Sequence, residues 1–357
     1  MGIVIKWDIT YKCNLFCEHC INGNFLEKKP NELTFKEAVR IIDNISSYID
    51  IDRIHFLGGE PLTRKDFIDI LEYLDSKQIK FGFNTNGLLF AGKNMERICS
   101  LSNLDSVILS IEGPNAEVND NIRGKNVFNI LIDRLNKVRQ YRKSSDFNVI
   151  VNMVVMKTNY IYIKDMVKLC DDFGVDEINF LEFIEDGNGT GSGLSLSDDE
   201  FIDCINSIAR LDNEDYNVKM IPKFTRPLAI DYARECLGLD FPLAVHACGA
   251  GTNSIFIDNN GIVYNCDRDR NLNGNGYDLT KDSFDKIWDE TYFTKPFTVY
   301  QGSELYNNVE PCNGCKYLYK ECFPCYLKIQ KDQLQTIKRC KLLNDLINSK
   351  QVGGVAV

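Results

Sequence analysis

From residue 3 to about residue 184, strand-like and helix-like segments alternate, and this alternation narrows the fold more than any other feature of the chain. The strand-like runs are IVIKWDIT (3–10), RIHFL (53–57), IKFGFN (79–84), SVILSI (106–111), NVIVNMVVM (148–156) and EINFLEF (177–183). The first helical stretch starts at Thr34, where Thr34 and Glu37 form a capping-box pattern. Phe35, Ala38, Val39, Ile42 and Ile45 then recur at helical spacing. Further helical stretches lie near 64–76, 93–101, 126–142 and 160–173. Six strand–helix units imply an α/β fold with a parallel sheet and right-handed crossovers. Periodicity leaves two forms open, a partial barrel or an open doubly wound sheet.

Three regions are expected: a sheet-forming domain over 1–185, a bridging region over 186–245, and a different domain over 246–357. GNGTGSG (187–193) reads as a flexible joint or a substrate-side loop. A helix is expected from Ser197. SIFIDNNGIVYNC (254–266) reads as a hairpin turning at Asn259-Asn260-Gly261. A final helix is expected over roughly 326–348.

The chain has 357 residues and a net charge of −10, which argues against a nucleic-acid partner. No apolar run approaches the roughly 20 residues of a membrane span, and the start lacks the pattern of a signal peptide. A cytoplasmic location is expected. Fourteen cysteines in a reducing compartment point to metal rather than disulfides. Three lie at 13–20 and seven at 248–340; Cys99, Cys170, Cys204 and Cys236 are scattered between. Buried small hydrophobes are the plainest reading of those four.

The chemistry-bearing residues follow the strands. Cys13-Asn-Leu-Phe-Cys17-Glu-His-Cys20 comes after the first, and three such thiolates can hold three irons of a 4Fe–4S cube and leave the fourth open. Gly58-Gly59-Glu60-Pro61 follows the second strand, Thr85-Asn86-Gly87 the third, and Ser110-Ile-Glu112-Gly113 closes the fourth. In parallel α/β folds these strand ends share the face that carries active sites. Glu60 offers a carboxylate to an ammonium group, Ser110 and Asn86 can bond hydroxyls, and Arg123 can pair with a carboxylate. An α-amino acid needs both charged partners. The plainer reading of Arg123 is a surface ion pair.

CNLFCEHC resembles the cluster motif of the radical S-adenosylmethionine (SAM) superfamily, and FLGGEPL its GGEP motif. The resemblance implies a partial (β/α)6 TIM-type barrel over roughly 3–185. Cys13, Cys17 and Cys20 would hold the cluster, and SAM would bind its open iron. His19, Gly58, Gly59, Glu60, Pro61, Asn86, Ser110 and Arg123 would line the SAM site, with His19 beside the adenine. The chemistry implied is a 5′-deoxyadenosyl radical that takes hydrogen from an unactivated carbon.

The C-terminal cysteines resemble the SPASM domain, which carries two auxiliary 4Fe–4S clusters, for three in all. Here Cys312-x2-Cys315-x6-Cys322-x2-Cys325 replaces the usual x2, x5, x3 spacing, so Cys322 alone has moved by one place. The resemblance implies Cys248, Cys266 and Cys325 at one cluster, with Cys236 or substrate as fourth ligand. It implies Cys312, Cys315, Cys322 and Cys340 at the other. Two CxxC pairs alone would also suit zinc. Asp267 stands where related sulfatase-maturing enzymes have an aspartate that deprotonates substrate; its plain alternative is a turn residue ending the hairpin.

The function expected from the resemblance is oxidative crosslinking, C–C or thioether, of a ribosomally synthesised peptide by an oxidoreductase. A reductant such as flavodoxin or ferredoxin is expected as partner. The residues before Cys13 are too few for a leader-binding domain, so peptide recognition falls to the barrel mouth, the 186–200 loop or a separate protein. The alternatives are formylglycine formation on a sulfatase, chemistry on a sugar or tetrapyrrole, and a non-enzymatic iron–sulfur or zinc protein.

Overall fold

The computed structural model describes residues 2–26, 32–142, 146–242, 249–273, 276–289, 306–325 and 335–353. Cys248, His246 and the first part of the expected final helix lie outside them. Six parallel strands form the centre: β1 (Ile3–Thr10), β2 (Ile51–Gly58), β3 (Lys80–Thr85), β4 (Leu104–Ser110), β5 (Asn148–Val155) and β6 (Glu177–Glu182). All six runs read from the sequence are present. Helices Phe35–Ser46, Phe67–Ser76, Gly92–Cys99, Val127–Tyr141 and Ile163–Asp172 connect them.

Alternate residues of each strand do different work. Ile3, Ile5, Trp7 and Ile9 of β1, Ile54 and Phe56 of β2, and Phe81 and Phe83 of β3 are buried in the main apolar core, together with the apolar positions of the helices. The opposite parity is polar: Lys6 pairs in register with His55, and His55 with Gly82. That second face surrounds the interior of the curved sheet. A barrel lined this way keeps a cavity where a solid apolar filling would close it.

The capping box at Thr34 forms as the spacing predicts, with Glu37 N–H donating to the Thr34 hydroxyl at 3.4 Å and Thr34 N–H to the Glu37 carboxylate at 2.7 Å. Helix Asp198–Asp212 starts on a second box, Ser197 with Glu200. Helix Ala116–Arg123 has no counterpart in the sequence reading, because its NDN stretch is too polar to show an apolar stripe.

The sheet runs beyond the six expected strands. β7 (Lys219–Pro222) adds to β6. β8 (Ser254–Ile257) and β9 (Ile262–Tyr264) form the expected hairpin, and β10 (Tyr277–Asp278) pairs with β9. β8 also lies parallel to the free edge of β1, from Val4 opposite Ser254 to Trp7 opposite Ile257. The order is therefore β10-β9-β8-β1-β2-β3-β4-β5-β6-β7, one ten-stranded sheet. The cysteine-rich region is stitched into the barrel's own sheet. No described helix is long and apolar enough to cross a membrane.

Candidate active site

At the C-terminal ends of the strands lies a cavity of about 330 Å3. Cys13, Cys17 and Cys20 line it, as do Gly58, Gly59, Asn86, Ser110, Arg123, His19 and Asp267. Residues more than 240 positions apart thus share one wall.

The thiol loop is held by its own backbone. Cys20 N–H donates to the Cys17 carbonyl (3.2 Å), and Gly23 N–H to that of Cys20 (3.1 Å). The Cys13 sulfur accepts from Leu15 N–H at 3.4 Å. Burial lifts all three thiols above the usual cysteine value, Cys20 to about 11, while Arg123 pulls the other way. Such thiols become thiolates when metal replaces the proton.

The GG turn lies against this loop. Gly59 N–H donates to Thr10 O and Glu60 N–H to Lys12 O, both at 2.8 Å. At Gly58, φ is +118° and a Cβ would sit 2.1 Å from Thr10 O, so only glycine fits.

Glu60 and Pro61 do not reach the cavity wall. Glu60 is buried and accepts from Thr85 Oγ1 (2.8 Å), Leu62 N–H (3.2 Å) and Asn86 N–H (2.7 Å). Its carboxylate ties the GGEP turn to the TNG turn. Burial pushes it up to about 7, against those hydrogen bonds and Arg123. Pro61 is buried and opens the turn Pro61–Thr63. Asn86 reaches the thiol loop, with Nδ2 donating to Asn14 Oδ1 at 2.7 Å.

Arg123 is buried rather than a surface cation, and it faces Glu112, with Nη1 to Oε1 at 2.9 Å. His19 Nε2 lies 3.2 Å from the same oxygen. Glu112 Oε2 accepts from Val154 N–H at 2.7 Å. Burial works against the Glu112 carboxylate, but His19, Arg123 and that N–H together hold it below the usual range. His19 Nδ1 and Arg123 Nε are buried without a partner among the described residues. Both side chains line the cavity, so a ligand with several polar atoms would satisfy what the protein leaves open.

GNGTGSG is pinned at its start by contacts with the thiol loop, where a flexible joint was expected. Asn188 N–H donates to Cys20 O at 3.0 Å, and its side-chain amide to Cys17 O at 2.9 Å. Gly187, at φ +59°, packs so that a Cβ would meet Cys20 O at 2.3 Å. The segment clamps the thiol loop from behind.

Among the described residues of the C-terminal region, Phe256 from β8 and Asp267 reach the cavity. Asp267 opens helix Asp267–Asn273 instead of ending a strand as a turn residue. One turn on, Arg270 forms a buried ion pair with Asp8 of β1 at 2.8 Å. Burial pushes the Asp8 carboxyl up to about 7, with Arg270 opposing. Asp8, Glu112, Asn188 and Arg270 escaped the sequence reading as site residues. Only Glu112 had a local signal, its place in the SIEG turn.

Six of the remaining described cysteines fall into two sets. Cys340 has Cys322, Cys312 and Cys315 as electrostatic neighbours, and burial lifts it to about 12. Cys266 has Cys325, and its thiol is likewise raised by burial. Cys236 has Lys350 and Glu235 as charged neighbours. Cys99, Cys170 and Cys204 are buried in the apolar core. Among the described residues no three Cys, His, Asp or Glu side chains converge as the ligands of one ion must. Thiolates of a cube each bind a separate iron and need no such convergence.

The radical SAM superfamily model matches residues 7–170, and the SPASM model, an iron–sulfur cluster-binding domain, matches residues 248–316. The chain belongs to the radical SAM superfamily and carries a SPASM domain; it is an enzyme of that family, whose cofactors are SAM and iron–sulfur clusters. Mycofactocin maturase MftC of Mycolicibacterium smegmatis is 28% identical over 293 residues, 80% of this chain and 70% of the relative. The AdoMet-dependent heme synthase of Oleidesulfovibrio alaskensis is 25% identical over 330 residues, 88% and 82% of the two. Streptococcus suis SuiB bound to its precursor peptide SuiA superposes with a TM-score of 0.73 at 16% identity, over 92% of this chain and 73% of that one. For anSMEcpe with bound AdoMet the TM-score is 0.63 at 15% identity, over 97% and 99%. The fold expected from the motifs is thereby shown.

Proposed function

We propose that this protein is a peptide maturase that removes two hydrogens from a ribosomally synthesised peptide and forms a C–C or thioether crosslink. Cys13, Cys17 and Cys20 hold the SAM-binding cluster. Cys266 and Cys325, with Cys248, hold one auxiliary cluster, and Cys312, Cys315, Cys322 and Cys340 the other. Bound there, SAM and the clusters would supply radical hydrogen abstraction and an acceptor for the electron that follows.

The chain's own residues do the rest. Arg123 and His19, both braced by Glu112, fix the ligand's polar end, with Ser110, Asn86 and the backbone of Gly58 and Gly59 around it. Asp267 takes the proton that leaves the substrate as the new bond forms. Ile184, Phe183 and Val154 form an apolar flank that excludes water.

The observation that carries this reading is the shared cavity. The three thiols and Asp267, which begins the arm next to Cys266, face one space of about 330 Å3. That is near the small end of ligand pockets, roughly 300 Å3. Supporting relatives include a maturase, and the fold matches a protein solved with its precursor peptide. A flavodoxin or ferredoxin would deliver electrons, and a separate protein would present the peptide's leader.

The test is anaerobic reconstitution with reductant, SAM and a small precursor peptide encoded beside the gene. Production of 5′-deoxyadenosine, about twelve irons per chain, and a peptide lighter by two hydrogens are expected. Absence of 5′-deoxyadenosine, or a peptide of unchanged mass with every neighbouring precursor, would sink the reading. The placement of Asp267 also favours formylglycine formation, which an aldehyde on a Cys- or Ser-containing sulfatase peptide would reveal.

A further inference from the structure

Arg270 makes more contacts than charge balance requires. Its side chain is 6% exposed, and Nη1 donates to Asp8 Oδ2 at 2.8 Å. The same nitrogen donates to the Tyr11 hydroxyl. Nη2 donates to Asn22 Oδ1 at 3.3 Å, and the Asn22 amide in turn donates to Gly58 O at 3.1 Å. The guanidinium lies over the ring of Phe25 at 4.2 Å and near that of Phe256 at 5.0 Å. Tyr11, Asn22 and Phe25 bracket the thiol loop on both sides. Next along the chain, Asn271 Nδ2 donates to Asp186 Oδ2 at 3.3 Å. Asp186 accepts from Gly187 N–H, at the head of the turn whose Asn188 holds the Cys17 and Cys20 carbonyls.

Arg270 therefore joins four things: β1, the thiol loop, the GG turn and the arm that starts at Cys266. Asp267 is three positions earlier on the same helix, hence on the same face, and acts on Arg270 electrostatically. A lysine would keep the charge opposite Asp8 but lacks the planar fork and the stacking surface.

We propose that Arg270 is a positioning residue that locks the Cys266–Asp267 arm onto the Cys13–Cys20 loop, so that Asp267 and the source of the radical keep one fixed separation across the cavity. The lock goes beyond the peptide reading and does not depend on which substrate enters.

The test compares wild-type, R270M and R270K full-length enzymes, anaerobically reconstituted, by hydrogen exchange and by SAM titration. Amide exchange over residues 11–26 is expected to rise about tenfold or more in R270M and about threefold in R270K, with residues 104–110 and 148–155 unchanged. The SAM concentration that half-completes the SAM-dependent change in the reduced enzyme's paramagnetic resonance signal rises in the same order. Exchange over 11–26 equal to wild type overturns the proposal, as does a rise spread equally over 148–155, which would mean general loosening. Should R270M fail to fold, R270K decides by the same two readings.

Discussion

Glu112 serves two partners at once, the Arg123 guanidinium and the His19 ring, in the wall of the cavity. Removing its charge would leave Arg123 buried without a counterion, a costly state. Glu60 has the opposite character. Its folded carboxyl holds the proton up to about 7, against the usual 4.5. The folded chain thus binds that proton more tightly than the unfolded one. Stability from this group is full below 4.5 and is lost as pH rises through about 7. In Glu60→Gln the position no longer titrates. The stability of wild type relative to E60Q should therefore fall by up to about 3 kcal/mol between about pH 5 and pH 8. Anaerobic urea titrations at the two pH values measure this, and a constant difference would refute it.

The clamp at Asp186–Asn188 shows how a short glycine-rich segment earns its place by packing. Gly187→Ala forces a side chain into φ +59° and against Cys20 O. A loss of about 2 kcal/mol is expected, together with lower iron occupancy at the open-iron site. Gly191, at φ +68° with nothing within 4 Å of a Cβ, is the matched control. Gly191→Ala should cost about 1 kcal/mol and leave iron unchanged; equal iron loss in both would count against the clamp. Elements like this mark the limit of sequence reading. The six strands were legible because one face of each buries β-branched and aromatic residues at alternate positions in the core, and the thiol, GGEP and SIEG turns because their spacing is local. β7 has four residues, too few for any period. Asn188 and Arg270 act through partners 171 and 262 positions away, and such contacts leave no mark on neighbouring residues.

At the scale of the whole molecule, the ten-stranded order makes the radical SAM barrel and the SPASM region interdependent. β8 covers the edge of β1, and Trp7 Nε1 donates to Asp258 O at 3.2 Å. A chain ended at residue 242 would uncover that edge and remove the partner of the buried Asp8. Uncovered strand edges pair with other molecules. Such a chain is expected to run as soluble aggregates in size-exclusion chromatography; a monomer that loads iron at Cys13, Cys17 and Cys20 would contradict the account.

The pairing of β1 with β8 also fixes an order in time. The first strand leaves the ribosome long before its neighbour, and about 250 residues must follow before Ser254–Ile257 arrives beside it. Contacts of such separation close slowly. The loop of Cys13, Cys17 and Cys20 cannot take its final shape until Asp186, Asn188 and Arg270 have been made. The contacts that brace these three thiols are thus complete only after about three-quarters of the chain has been made, so one of the oldest parts of the chain is among the last to be fixed.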